Sequence, residues 1–473
     1  MSTNGIDEIS KNKTDMSMLE FLQKRAEAGR VRLHMPGHNG RALTGAFWEE
    51  LFKIDVTELP DTDDLHSPCG MIARSQERAA ALWGAKRSFY LVGSSTAGIL
   101  AGVLAAAESG TVILARNCHK SVYSACDVAR VRKSFIMPRV DRESGIFLSV
   151  TPEQVRDAIR REKGRASLVV ITSPTYEGVI SDTAGIARVC REEGVPLMVD
   201  EAHGAHLAIG AHGGVFGGSA VRSGADIVIQ SLHKTLPSPT QTGIAHFCSE
   251  NSALEKRFVR MLEVVQSSSP SYILMAGIDA CVRLMEERGN ELMRSWKMLV
   301  SDARKELGKL KNVRVFGGAD GVFMTDPTKI CLIVPDGEEY ARRLSDDGID
   351  CEFALGRTVL LYTGAGTDKN DLCRAAETLK KLDRVNIPPV NDVPFPGILP
   401  RRARSGADNT FSVSDLVSPE GVLGSAGRVS PCYVWTYPPG IPLLCPGERL
   451  DKALAAWLAE CVRAGVKLSI RAE

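Results

Sequence analysis

The chain has 473 residues, a formal net charge of +1, 44% hydrophobic and 24% charged residues. That length is too great for one simple domain, and the balanced charge argues against a general nucleic-acid or anionic-membrane surface. No apolar run reaches the roughly 18 residues of a membrane span.

Residues 1–15 are polar and lack the apolar core of a signal peptide. Met16 to Leu22 reads as an amphipathic helix. A polar segment, Leu33-His34-Met35-Pro36-Gly37-His38-Asn39-Gly40, follows. His34 and His38 have helical metal-pair spacing, but Pro36 and Gly37 between them break a helix. The short apolar run Tyr90-Leu91-Val92 then leads into Gly93-Ser94-Ser95-Thr96 and an Ala-rich helix, Ile99 to Ala107. Ser94, Ser95 and Thr96 therefore lie at a helix N-terminus. Free backbone N–H groups and the positive dipole end suit a phosphate there. An ordinary helix cap is the other reading.

Thr111 to Ala115 is a strand ending in Arg116-Asn117-Cys118-His119-Lys120-Ser121. His119 could lie flat on a planar ring or be a satisfied loop histidine. Helices are expected over 151–162 and 184–193, with a strand entering Ser173-Pro174-Thr175-Tyr176. The next strand, Val195 to Val199, ends in Asp200-Glu201-Ala202-His203. A buried carboxylate at Asp200 calls for a cationic partner. His203 and His206 are three residues apart, without the ligand clusters of a structural zinc site, so no metal is expected. Asp-Glu-Ala-His also resembles the magnesium strand of a nucleic-acid ATPase. That class needs G-x-x-x-x-G-K-[ST], and the chain has none; Gly308-Lys309 is followed by Leu310.

The apolar run 225–229 exits into Ser231-Leu232-His233-Lys234-Thr235. A lysine at the exit of a buried strand is poorly explained as a solvated charge. Strands are further expected at Val313 to Phe316 and Lys329 to Val334, and a Pro-rich linker at 387–400. The basic run Arg401 to Arg404 reads as surface or interface, and a helix is expected at 449–464. The twelve cysteines are scattered without a C-x-x-C pair, as free thiols of a cytoplasmic protein would be.

Four strand exits thus converge on one chemistry. A lysine able to form a Schiff base, an acid for a ring nitrogen, a phosphate cradle and a stacking histidine make a pyridoxal 5'-phosphate site. Ligands of open parallel sheets bind at the carboxyl ends of the strands, and helix–strand alternation argues a doubly wound sheet.

These segments, with Gln266-Ser267-Ser268-Ser269-Pro270-Ser271-Tyr272 and Tyr437-Pro438-Pro439-Gly440-Ile441-Pro442, resemble the Orn/Lys/Arg decarboxylases from about residue 17 onward. The resemblance implies an α/β protein: an aspartate-aminotransferase-like large domain with a mostly parallel sheet, a smaller α/β region and a C-terminal domain. The corresponding bounds are 1–30 for an N-terminal helix and arm, 31–285 for the large domain, 286–385 for the small region and 386–473 for linker and C-terminal domain.

It implies roles as well. Lys234 would carry the cofactor and Asp200 would pair with its ring nitrogen. His203 would lie near its phenolic oxygen, and His119 would stack on the ring. Ser94, Ser95, Thr96, Ser231 and His233 would hold the phosphate, with Ser268 reaching it from a partner subunit. Gly98 and Ser268 stand where Asn and Thr are expected in other members. No room remains before the first motif for the N-terminal wing of the larger members, so a homodimer, or an oligomer built from dimers, is expected rather than a decamer.

The implied reaction is decarboxylation of a small-molecule basic amino acid, with a slight lean to arginine, without nucleic-acid or membrane partners. Transamination, aldol cleavage and a catalytically silent homologue are the alternatives, because the fold alone does not choose among them. Glu352, Glu177 and Asp63 are candidates by residue type for the substrate's distal group.

Overall fold

The computed structural model describes residues 16–28, 48–107, 110–210, 214–389, 409–436, 440–463 and 465–472, the isolated positions 32, 36, 39 and 41, and the backbone of 401–402. Most of the 33–40 segment, Tyr437 to Pro439, most of the Pro-rich stretch and Ala403-Arg404 lie outside the described residues.

The first helix, α1 (Met18–Glu27), begins at a capping box in which Ser17 and Glu20 satisfy each other's backbone N–H groups. After α2 (Glu49–Ile54) and α3 (Met71–Trp83) comes β1 (Arg87–Leu91), which opens the main sheet. The chain then alternates through α4 (Ser94–Ala106), β2 (Thr111–Ala115), α5 (Lys120–Val128), β3 (Arg132–Ile136), α6 (Pro152–Arg161) and β4 (Ala166–Thr172). A short β5 (Val179–Ile180), α7 (Thr183–Glu192), β6 (Leu197–Asp200), β7 (Ile227–Ser231), α8 (Leu232–Thr235) and β8 (Gly243–Phe247) follow.

Seven strands form one sheet in the order β1-β8-β7-β6-β4-β2-β3. Only β8 runs against its neighbours. The carboxyl ends of β1, β2, β4, β6 and β7 therefore share one edge. Every residue of β2 and β7 is buried, as continuous apolar strands covered on both faces should be.

Helix α4 packs close to this sheet because it carries glycines. A Cβ on Gly98 would lie 2.8 Å from Leu91 Cδ1, and one on Gly102 would lie 2.4 Å from Met198 Sδ. The absence of a side chain at residue 98 thus serves helix–sheet packing. The approach holds the N-terminus of α4 at the sheet's functional edge.

After α9 (Ser252–Val265), one continuous helix, α10 (Tyr272–Leu307), spans the expected boundary at 285–286. Beyond it, β9 (Arg314–Val315), β10 (Met324–Thr325) and β11 (Lys329–Ile333) lead through α11 (Gly337–Asp346) to β12 (Phe353–Leu355), β13 (Thr358–Tyr362) and α12 (Lys369–Leu382). Four of these strands form an antiparallel sheet ordered β12-β13-β11-β9. The C-terminal part has its own apolar cluster, including Val434, Leu444, Leu454 and Leu458. It is tied to the end of β2 by a fully buried ion pair, Arg116 Nη2 to Glu448 Oε2 at 2.9 Å. Among the described residues no helix is long and apolar enough to cross a membrane.

Candidate active site

Lys234 lies on the short turn of helix directly after β7, and Asp200 is the last residue of the adjacent β6. Ser95, His119, Tyr176, Asp200, His203 and Lys234 line one pocket. Asp200 is 3% exposed, and its Oδ1 accepts the Ala202 N–H at 3.2 Å. Burial raises its carboxyl, against the lowering pull of Lys234 and of that hydrogen bond. Burial likewise pushes the Lys234 amine down; Asp200 and Glu352 oppose this, and the cation of Lys329 adds to it.

Lys234 Nζ lies 3.2 Å from His203 Nε2, and His203 Nδ1 lies 3.0 Å from the Tyr362 hydroxyl. Tyr176 stands edge-on to the His203 ring with centroids 4.8 Å apart, and its hydroxyl donates a short hydrogen bond to Glu352. Burial, with Lys234 and Lys329 next, holds His203 well below the ordinary histidine range. His119 caps α5: its Nδ1 accepts the Ser121 N–H at 3.2 Å. Burial first, then Lys234 and Lys120, lower it to about 4. Both rings are thus neutral at physiological pH.

The helix N-terminus lies beside these groups. Ser231 Oγ donates to Ser95 Oγ at 3.0 Å. Ser94 is held at φ +61°, its N–H donates to the Gln241 carbonyl at 2.9 Å, and its Oγ accepts the Thr96 N–H at 3.2 Å. A Cβ on Gly243 would come within 3.2 Å of the Ser95 nitrogen, so a bare glycine is needed for that approach. His233 Nδ1–H donates to the Thr242 carbonyl at 2.7 Å, leaving Nε2 as its remaining polar atom. Ser268 is exposed and does not line this pocket.

The three acidic candidates separate. The Asp63 carboxylate accepts N–H groups from Asp64, Cys69, Gly70 and Ile72 at 2.8–3.0 Å, so it organises the start of α3 and is not free to take a substrate. Glu177 accepts from Thr175 Oγ1 at 2.8 Å and faces a second cavity with Phe353 and Trp457, which shares Ile441 with the Lys234 pocket. Glu352 reaches the Lys234 pocket through Tyr176. His203 and His206 diverge: His206 Nε2 pairs with Asp326 at 3.2 Å.

Sequence reasoning missed Tyr362, Lys329 and the role of Tyr176. Tyr362 ends a strand as the other site residues do, which is a usable signal, but its strand belongs to another sheet.

The parts fit a flat, phosphorylated, carbonyl-bearing ring. An amine whose protonation burial disfavours, a buried acid on the next strand and first-turn N–H groups that an α-helix cannot satisfy itself meet in one place. The buried Asn117 Oδ1 beside them has no hydrogen-bond partner among the described residues. Fold and site together define a pyridoxal-phosphate enzyme of the aspartate-aminotransferase type. The chain belongs to the Orn/Lys/Arg decarboxylase family: the family's major domain matches residues 17–343 and its C-terminal domain residues 421–465. It is 32% identical over 463 residues to the uncharacterised protein YaaO of Bacillus subtilis (strain 168), covering 92% of each chain. It is 29% identical over 465 residues to the arginine decarboxylase of the same organism, covering 94% of this chain and 93% of that one. The solved lysine decarboxylase LdcF of Francisella novicida superposes with a TM-score of 0.78 at 19% identity, covering 96% of this chain and 79% of that one. The protein is thus a pyridoxal-phosphate-dependent decarboxylase acting on a basic amino acid.

Proposed function

We propose that the preferred substrate is arginine, that Lys234 carries the cofactor, and that Glu352 recognises the substrate's distal cation. The observation that carries this reading is one pocket holding Lys234 and Asp200, walled by a tyrosine that grips a carboxylate. A carboxylate can accept two parallel N–H bonds from a guanidinium, a geometry an ammonium cannot offer. The arginine decarboxylase activity named for the Bacillus subtilis relative supports the same choice.

When bound, pyridoxal phosphate supplies a protonated ring that takes up the electron pair released with carbon dioxide. The chain's own residues do the rest. Lys234 offers an amine that burial keeps nucleophilic. Asp200 would keep a proton on the ring nitrogen, which in turn would offset the carboxylate's burial. His119 would cover the ring face, while Ser94, Ser95, Thr96, Ser231 and His233 would hold the phosphate. Lys234 or His203 returns a proton to the substrate carbon.

Ser268, exposed on its own subunit, serves the site of a partner in a homodimer. Twelve unpaired cysteines suit a reducing, cytoplasmic setting.

Carbon dioxide release measured on arginine, lysine and ornithine tests the substrate. Arginine should give the highest kcat/KM, and Glu352→Gln should raise its KM about tenfold or more, the loss of one charge-assisted contact. A higher kcat/KM on lysine or ornithine overturns the arginine assignment.

A further inference from the structure

A second lysine is buried behind the site. Lys329, at the start of β11, has a side chain with no solvent exposure, and its Nζ lies 3.4 Å from Asp326 Oδ2. It donates to the His203 carbonyl at 3.4 Å and to Thr328 Oγ1 at 3.5 Å. It also sits 4.1 Å from the centre of the Tyr362 ring, within cation–π range. The hydroxyl of that ring meets His203 Nδ1. Lys329 therefore touches His203 from both sides, at the main chain directly and at the imidazole through Tyr362.

Packing alone does not explain this lysine. Replacing a buried ion pair by apolar residues of similar volume is often neutral or stabilising. A methionine would fill the same space without the desolvation penalty of an ammonium. Burial opposes ionisation of Asp326, but His206 and Lys329 outweigh it and hold that carboxyl well below the ordinary range. Burial in turn pushes the Lys329 amine down, and Asp326 and then Glu352 oppose that by favouring its ammonium form.

We propose that Lys329 is a positioning residue for the Lys234–His203 pair: anchored on Asp326, its ammonium clamps the His203 main chain and the Tyr362 ring, and so aims His203 Nε2 at Lys234 Nζ. The aim decides where the proton sits between amine and imidazole. With the Tyr362 hydroxyl donating to Nδ1, the neutral imidazole carries its proton on Nε2 and turns it toward the Lys234 amine. The groups bearing on Lys234 are Asp200 from the end of β6, Lys329 from β11 and Glu352 from the chain before β12. His203 touches it directly, and Lys234 in turn bears on His119 after β2. Among the described residues Lys329 is the one cation named as acting on it, and so favours the neutral amine. This inference rests on the role proposed above for Lys234.

The test uses the holoenzyme and a charge-balanced double variant, Lys329→Met with Asp326→Asn, beside Tyr362→Phe. The double variant should melt no lower than a few degrees below wild type. Its kcat should fall about tenfold or more, part of the roughly hundredfold or greater gain that a placed proton-transfer group contributes, with KM for arginine within about twofold. Tyr362→Phe should lose as much, and the triple variant no more than either, because both act through His203. In the cofactor-free double variant, Lys234 should become half-labelled by acetic anhydride at a higher pH than in wild type, since a facing cation has gone. Retained kcat, a loss confined to KM, multiplying losses, an unmoved labelling midpoint or a double variant that cannot fold each overturns the inference. Borohydride reduction and peptide mapping of the wild type separate the two claims. A pyridoxyl group off Lys234 ends the parent reading, whereas one on Lys234 with unaffected variants ends only this inference.

Discussion

Burial raises the Asp200 carboxyl and lowers the Lys234 amine, and each pulls the other back toward its charged form. If Asp200 pairs with a protonated ring nitrogen, as proposed, that cation would offset the burial of its carboxylate. Asparagine at 200 is nearly isosteric but cannot hold a proton on the ring. Asp200→Asn should therefore keep cofactor absorbance while kcat falls by at least about tenfold, equivalent to roughly 1.4 kcal/mol of barrier. Near-normal kcat in that variant removes Asp200 from the mechanism. These two residues stood out because Asp200 ends an apolar run and Lys234 follows the exit of another, and a polar residue there must point at something. Asp63 shows the limit of that logic. Its residue type fits a substrate cation, yet the turn before α3 occupies its oxygens with four N–H groups, which only the folded loop reveals.

At the scale of elements, the sheet carries a buried polar path beside the site. Glu201 accepts from Gln230 Nε2 at 2.6 Å, Gln230 Oε1 meets His246 Nε2 at 3.2 Å, and His246 Nδ1 meets Ser88 Oγ at 2.8 Å. The path crosses from β7 through β8 to β1, so it locks the register of the antiparallel strand between its neighbours. Burial lowers His246 to about 3, below the unfolded value near 6.5. The unfolded chain then binds a proton that the native state refuses. Its contribution to stability is full above about pH 6.5 and is lost as pH falls toward 3, by up to about 1.4 kcal/mol per pH unit. His246→Gln should lower stability at pH 7 but flatten its decline between pH 6.5 and 4.5. Urea unfolding of both proteins across that range checks it, and parallel slopes would falsify the assignment. The strands of this path were readable as apolar runs. The path was not, because His246, Gln230 and Ser88 become neighbours only through strand pairing, just as Tyr362 and Lys329 reach the site from a separate sheet.

For the whole molecule, the fold assembles its site from distant parts of the chain. The Arg116–Glu448 pair and the Lys120 N–H to Gly440 carbonyl bond at 2.9 Å bring Ile441 into the wall of the Lys234 pocket. One expected contributor, Ser268, stays outside it, on an exposed turn whose neighbour Ser267 accepts at its carbonyl from His66 Nε2 at 2.8 Å. A residue meant for the phosphate but exposed on its own subunit is accounted for if a partner receives it. Subunit exchange between two inactive variants decides the matter. On the role proposed for Lys234, Lys234→Ala should abolish the site in the subunit that carries it, and Ser268→Trp should block whichever site residue 268 reaches. If that site is the neighbour's, a hybrid dimer has one site with both lesions and one with neither. Mixing should then restore up to about half of the wild-type activity per hybrid dimer, because a two-fold dimer has two equivalent sites. If Ser268 serves its own subunit, every site keeps one lesion and mixing restores nothing. Light scattering that finds a fully active monomer leads to the same rejection.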